Sequence, residues 1–403
     1  MTQGVPRTTR REGLVDWGLW MAVLGLMVVG AAFILSATGS ADEAANRPWW
    51  RYRVVGQIGA DVVGLLLVGV LCLVDYARLA RWSLVAYWIS ILLLLGVALF
   101  GVSRLGAKRW LDFAVFQFQP SELAKLAFLF ALGNFLARPT SELDSPLLFA
   151  QALGMALLPF LLILKQPDLG SALVFLPIAL VMMLVAGVPR RFLGRFLSGT
   201  GLVATLLLFD VLYAPPGWHF LQLEDYQKQR LMVYFGLDFA KPDATPAERL
   251  AARAEQESKS YNVRQSLISV GSGGLLGKGW REGTQSALGY LPRAVAHNDF
   301  IFSVIAEERG FLGSLLVLLL YAVVLFSGIR IASQARDRLG RLLAAGVVTL
   351  LFTHIFINIG MNIRLVPVTG IPLPLLSAGG TSVICSLIAI GILQNIHFHR
   401  RHY

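Results

Sequence analysis

Ten long apolar runs, broken by polar turns, constrain this 403-residue chain more than any other feature. About 20 apolar residues in helical form cross the hydrocarbon core of a bilayer. Within lipid every backbone N–H and C=O must be paired inside its own segment, so helices are the natural solution. The runs predict an all-α polytopic membrane protein, a single membrane domain over 1–403 with ten transmembrane helices. The spans fall near 14–37, 54–74, 83–101, 120–137, 148–165, 171–188, 196–213, 300–328, 343–363 and 380–396.

Composition supports this class. Apolar residues make up 56% and charged residues 15%, against about 25% charged in a soluble domain. That excludes a disordered chain, a basic nucleic-acid-binding domain and most cytosolic enzymes. The net charge of +11 is read as orientation and attraction to anionic lipid. Cys72 and Cys385 sit inside apolar runs, without the spacing of a disulfide framework or metal site. The run 14–35 is too long for the core of a secretory signal and is expected to be retained as span one.

Starting from a cytoplasmic N-terminus, the inside segments carry 15 basic residues: Arg7, Arg10, Arg11, Arg78, Arg81, Arg138, Arg190, Arg191, Arg195, Arg330, Arg336, Arg338, Arg341, Arg400 and Arg401. The four short outside loops carry seven: Arg47, Arg51, Arg53, Arg104, Lys108, Arg109 and Arg364. This asymmetry predicts a multi-pass protein of the cytoplasmic membrane with both termini inside. Seven outside is still more than orientation requires. Residues 214–299, an 86-residue segment with ten basic and nine acidic residues, fall outside as one large loop. A structureless loop of that length is uncommon. Within it, 245–259 reads as a short surface helix, with Thr245 as N-cap and Pro246 at the first helical position.

Ionisable residues in or beside spans are expensive and commonly line an interior or a cavity. Four clusters qualify. The first is Gly106 to Trp110 with Phe116 to Lys125. Glu122 and Lys125 share a helix face at i,i+3, either as a structural ion pair or as a cavity wall with Arg109 and Trp110 at its lip. The second is Lys165 to Gly170, where Asp168 either caps span six or faces a cation. The third runs from Tyr261 to Gln285 and includes Gln265, Ser266, five glycines in 271–279, Lys278, Thr284 and Gln285. It fails the phosphate-loop spacing. Its glycines either present amides to an anion or allow turns and close packing. The fourth is His297 to Asp299, leading to Glu307 about 12 Å deeper along a helix. Residues 366–382 are too proline-rich for regular helix and are expected to pack on protein or line a cavity.

QPSELAKL, KQPDLGSAL, YNVRQSLISVGSGGLLGKGWREGTQSALGYLP, NDFIFSVIAEERGFLG and PVTGIPLPLLSAGGTS together resemble the SEDS family over nearly the whole chain. GTQ and its sequel are similar to the cell-elongation (RodA) type rather than the division (FtsW) type. The resemblance implies a ten-span peptidoglycan glycosyltransferase. Such an enzyme polymerises lipid II at the outer face of the membrane, beside a class B penicillin-binding protein and other elongation-complex membrane proteins. It implies Asp299 as the essential acid. It also implies Arg109, Trp110, Glu122, Lys125 and Asp168 as functional positions. With these, Gln265, Ser266, Lys278, Thr284, Gln285 and Glu307 complete the expected substrate-binding set. The chain departs from the family at LPRAVAHNDF, where Arg293 replaces a Glu and two residues are added.

Transfer from a polyprenyl pyrophosphate needs a base for the acceptor hydroxyl and positive charge for the leaving group. A divalent cation (Mg or Mn) or Arg/Lys side chains can supply that charge, and the residues leave both open; no organic cofactor is expected. A lipid II flippase shares the need for an anion-friendly cavity, but no internal repeat supports it. A mere scaffold does not require Glu122 or Asp299.

Overall fold

A computed structural model describes residues 14–44, 48–104, 107–112, 117–213, 225–239 and 245–400. Arg7, Arg10, Arg11, Arg47, Gly106, Phe116 and Arg401 lie outside the described residues. The chain runs through α1 (Trp17–Ala44), α2 (Arg53–Leu73), α3 (Tyr76–Ala80), α4 (Ser83–Phe100), β1 (Val102–Arg104), β2 (Ala107–Asp112) and β3 (Gln117–Phe118). It continues through α5 (Pro120–Leu136), α6 (Pro146–Leu164), α7 (Leu169–Leu173), α8 (Phe175–Ala186), α9 (Arg190–Tyr213), α10 (Asp225–Phe235) and α11 (Pro246–Ser272). It ends with α12 (Thr284–Ala287), α13 (Arg293–Ala296), α14 (Ile301–Ser333), α15 (Arg338–Asn362) and α16 (Gly380–Phe398).

Among the described residues, nine helical stretches are long and apolar enough to cross a membrane, α7 and α8 together making one. The remaining expected span, 120–137, is α5, whose 17 residues sit at the short end of the spanning range. It is shorter and more polar because it lies inside the bundle: most of its residues are buried, Glu122 and Lys125 included. With α15 and α16 it forms the interior. The outer faces of α2, α4, α9 and α14 expose Leu, Val, Ile and Phe, as a lipid-facing surface must. Helices approach closely where a side chain is missing, as at Gly64 of α2 against Leu387 of α16.

Three differences from the sequence expectation bear on function. The loop between α4 and α5 contains a small antiparallel sheet ordered β1-β2-β3, pairing Val102 with Trp110 and Leu111 with Phe118. A loop on the bundle's surface must still pair its backbone, and this sheet fixes Arg109 and Trp110. Second, the expected helix 245–259 continues to Ser272. It starts as expected, with a capping box in which Thr245 Oγ1 accepts from Glu248 N and Glu248 accepts from Thr245 N. Third, α14 is two helices joined at Gly310 (φ 65°, ψ −157°). Residues 301–308 before the break are buried, whereas Phe311 and Leu312 beyond it are exposed.

The proline-rich segment after α15 is non-helical, as expected. It is buried in protein at Ile371, Leu373, Leu375 and Leu376. Tyr321 donates to Pro374 O (2.6 Å) and Ser377 Oγ to Asn298 O (2.6 Å). Irregular backbone is thus covered and paired rather than offered to lipid.

Candidate active site

Asp299 precedes α14 by two residues and opens into a cavity of about 510 Å³. Its wall brings together four elements distant in sequence. Arg109 comes from β2, Arg230 from α10, Lys259 from α11, and Arg364 with Val366, Pro367 and Val368 from the segment after α15. Four cationic side chains and one half-buried carboxyl therefore share one space. Burial raises the Asp299 carboxyl to about 6; the charges of Arg230 and Arg109 pull it down and that of Asp168 pushes it up.

The walls are tied by side chain to backbone bonds. Arg230 Nη1 donates to Val368 O (3.1 Å), Tyr234 OH to Leu365 O (2.9 Å), and Arg364 Nη2 to Tyr234 O (3.2 Å). These hold α10 across the cavity. Arg109 donates to Pro167 O and stands 3.7 Å from Asp168 Oδ1. Asp168 also accepts from Ser171 N (3.1 Å), so it caps α7 and pairs with Arg109 at once. Trp110 lies half-buried on the same strand.

Beneath Asp299 lies a buried polar layer. Asn358 and Asn362 of α15 both donate to Asp299 O at 3.1 Å. Ser303 donates to Asn362 Oδ1 (2.6 Å), and Ser266 Oγ lies 2.6 Å from Ser303 Oγ. Ser266 thus belongs to the support of the acid rather than to the cavity wall. Gln265, its neighbour on α11, is half-buried.

The other expected residues form two separate groups. Lys278 Nζ meets Glu307 Oε1 (2.6 Å) and Thr284 Oγ1 (2.7 Å), and Gln285 N donates to Glu307 Oε1 (3.0 Å). This cluster sits two turns along α14 from Asp299, and none of its members lines the cavity. The glycine-rich backbone packs there too. Lys278 N and Gly279 N donate to Glu307 O and Glu308 O, and a Cβ on Gly273 or Gly277 would collide with the α14 backbone. Those two amides are occupied, so the packing reading of the glycines holds there rather than the anion nest. The remaining pair, Glu122 and Lys125, is closed inside the bundle: 2.7 Å apart, 4% and 1% exposed, with His354 Nε2 3.0 Å from Lys125 Nζ.

Sequence reasoning missed Arg230 and Lys259, because charges in a long polar loop carry no signal. It also missed Asn358 and Asn362, although two polar residues at i,i+4 in an apolar run were available as a sign.

A family model described as cell cycle protein, FtsW/RodA/SpoVE, matches residues 16–402. The peptidoglycan glycosyltransferase MrdB of Escherichia coli is 36% identical over 390 residues, covering 96% of this chain and 94% of that protein. The peptidoglycan glycosyltransferase RodA of Treponema pallidum is 33% identical over 436 residues, covering 95% and 97%. Among solved structures, a chain described under the structural coordination of polymerization and crosslinking by a peptidoglycan synthase complex superposes with a TM-score of 0.73. It is 29% identical and covers 96% of this chain and 98% of that one. The rod shape determining protein RodA of Thermus thermophilus gives a TM-score of 0.64 at 27% identity, covering 96% and 98%. By a match that spans nearly its whole length, the chain belongs to the FtsW/RodA/SpoVE family.

Proposed function

We infer that this chain is a peptidoglycan glycosyltransferase of the cell-elongation type, with lipid II as its substrate and Asp299 as its general base. The observation that carries the site assignment is one carboxyl and four cations around one cavity of about 510 Å³. A lipid-linked disaccharide with a pyrophosphate needs both: a base for the sugar hydroxyl and positive charge for the phosphates.

In the step proposed, the acceptor hydroxyl attacks the anomeric carbon of the donor sugar. Its proton passes to the Asp299 carboxylate as the C–O bond to pyrophosphate breaks. Undecaprenyl pyrophosphate leaves with the bonding electrons, and Arg109, Arg230, Lys259 and Arg364 offset its charge. A hard divalent cation such as Mg or Mn wants several oxygen ligands. The acid nearest to hand, Asp168, is already engaged by Arg109 and by the α7 backbone, so the donor set around Asp299 does not fit such an ion.

The broken helix α14 is a feature that transporters share. Here the carbonyls of Glu307 and Glu308 at the break are taken by the amides of Lys278 and Gly279, which favours a structural break over an ion site. A class B penicillin-binding protein is the proposed partner, in keeping with the synthase complex that one structural neighbour represents. Purified protein with labelled lipid II, with and without that partner, tests the reading. Asp299→Asn should bind lipid II normally and lose about 10²–10⁴ in polymerisation rate. A variant that polymerises within a few-fold of wild type removes Asp299 as the base.

A further inference from the structure

Asp299 O does not take part in the ladder of the helix it precedes. The amides of Ser303 and Val304 in the first turn of α14 donate to Phe300 O, the N-cap carbonyl. Asp299 O instead receives two side-chain amides, from Asn358 and Asn362, at 3.1 Å each. A carbonyl has two lone pairs, so this one is saturated. Each asparagine uses its second N–H on another carbonyl: Asn358 on Ile371 O (2.7 Å) and Asn362 on Asn358 O (2.8 Å). All four of these bonds end on carbonyl oxygens, which fixes the orientation of both amides. Ser303 donates to Asn362 Oδ1, and Ser266 Oγ lies 3.0 Å from Asn362 O. Asn358, Asn362, Ser266 and Ser303 are all fully buried.

We propose that Asn358 and Asn362 are positioning residues for the reaction: they clamp the backbone of Asp299 outside α14 and so set where its carboxyl meets the substrate. Through Ile371, Asn358 also ties the acid to the segment whose Val366, Pro367 and Val368 wall the cavity. Base and wall then move as one unit. The effect to expect is large, because a misplacement of about 1 Å costs on the order of 10² in rate. The proposal rests on Asp299 being the base.

The test compares Asn358→Leu, Asn362→Leu and Ser303→Ala with Asp299→Asn in the purified full-length protein, using labelled lipid II. Thermal unfolding, kcat, KM and the pH dependence of kcat are read for each. A folded Leu variant should lose about 10- to 100-fold in kcat, keep KM within about twofold, and show a displaced acid limb. Ser303→Ala, which removes one support of Asn362, should lose about three- to tenfold. A folded Leu variant with wild-type kcat overturns the proposal, as does a kcat loss with an unmoved acid limb, which marks a purely structural role. If neither Leu variant folds, Ser303→Ala decides: an unchanged kcat and acid limb overturn the proposal. An inactive Asp299→Asn beside fully active asparagine variants refutes the clamp alone. An active Asp299→Asn refutes the base reading, and the clamp with it.

Discussion

At Asp299, burial and the surrounding cations act against each other, and with Asp299 as the proposed base their balance would set the working pH. With the carboxyl at about 6, the base form is lost as pH falls through that value, so polymerisation should show an acid limb near pH 6. Arg230 is one of the charges holding the value down. Arg230→Gln should therefore move the limb to higher pH and raise KM; a pH–rate profile with an unmoved limb would remove Arg230 from the electrostatics of the base. The stability consequence has the opposite sense. The folded value exceeds the unfolded one of about 3.9, so the folded state holds the proton more tightly. Any stability from this group is present below about pH 4 and lost as pH rises through about 6. Glu122 and Lys125 behave differently, because their partners are each other and His354, inside the bundle. Lys125→Met leaves a buried carboxylate uncompensated and should destabilise by about 3–5 kcal/mol, with Glu122→Gln/Lys125→Met recovering most of the loss. Thermal unfolding in detergent measures both. A Lys125→Met protein of normal stability but without activity would make Lys125 a functional group instead.

Among the elements, α14 carries the sharpest constraint. Gly310 has φ 65° and ψ −157°, a region essentially restricted to glycine. A Cβ there would also press on Gly277 N and Leu275 O. Gly310→Ala should therefore lower folded yield and melting temperature even though it is small and far from Asp299; a fully stable variant would show that the break is adaptable. The sequence displayed Glu307, Glu308 and the glycines but not this break, because a single glycine after Glu307, Glu308 and Arg309 does not by itself tell a break from a continuous helix. The spans themselves were legible, since bilayer thickness demands length and apolarity at each one. So was the start of α11, where Thr245, Pro246 and Glu248 make a local signal. Its end at Ser272 was not, because the glycines that stop it begin only there and its last turns pack on α14 through Ser266. The same split runs through the site. Asp299, Arg109 and Asp168 stood in recognisable motifs. Arg230, Lys259 and the asparagine pair acquire meaning only when α10, α11 and α15 are folded together around the acid.

For the molecule as a whole, the orientation in the membrane decides whether the proposed chemistry is possible, since polymer must form on the outer side. The cavity is built largely from the 214–299 segment and the loops at the same end of the bundle. At the opposite end, Arg330 pairs with Asp16 (2.5 Å) and Arg336 with Asp75 (2.7 Å). Such pairing does not weaken the orientation argument, because basic residues set topology and acidic ones contribute little. The 15 basic residues assigned inside thus still outweigh the seven in the short outer loops. Residue 258 tests the assignment, as Ser258 lies exposed on α11. With Cys72 and Cys385 replaced, Ser258→Cys should react with a membrane-impermeant thiol reagent in intact cells whose outer layers admit it. Equal labelling before and after lysis is the expected result. Labelling only after lysis would place Asp299 and its cations on the cytoplasmic face, where no glycan strand can be extended into the wall, and the proposed function would fail with the topology.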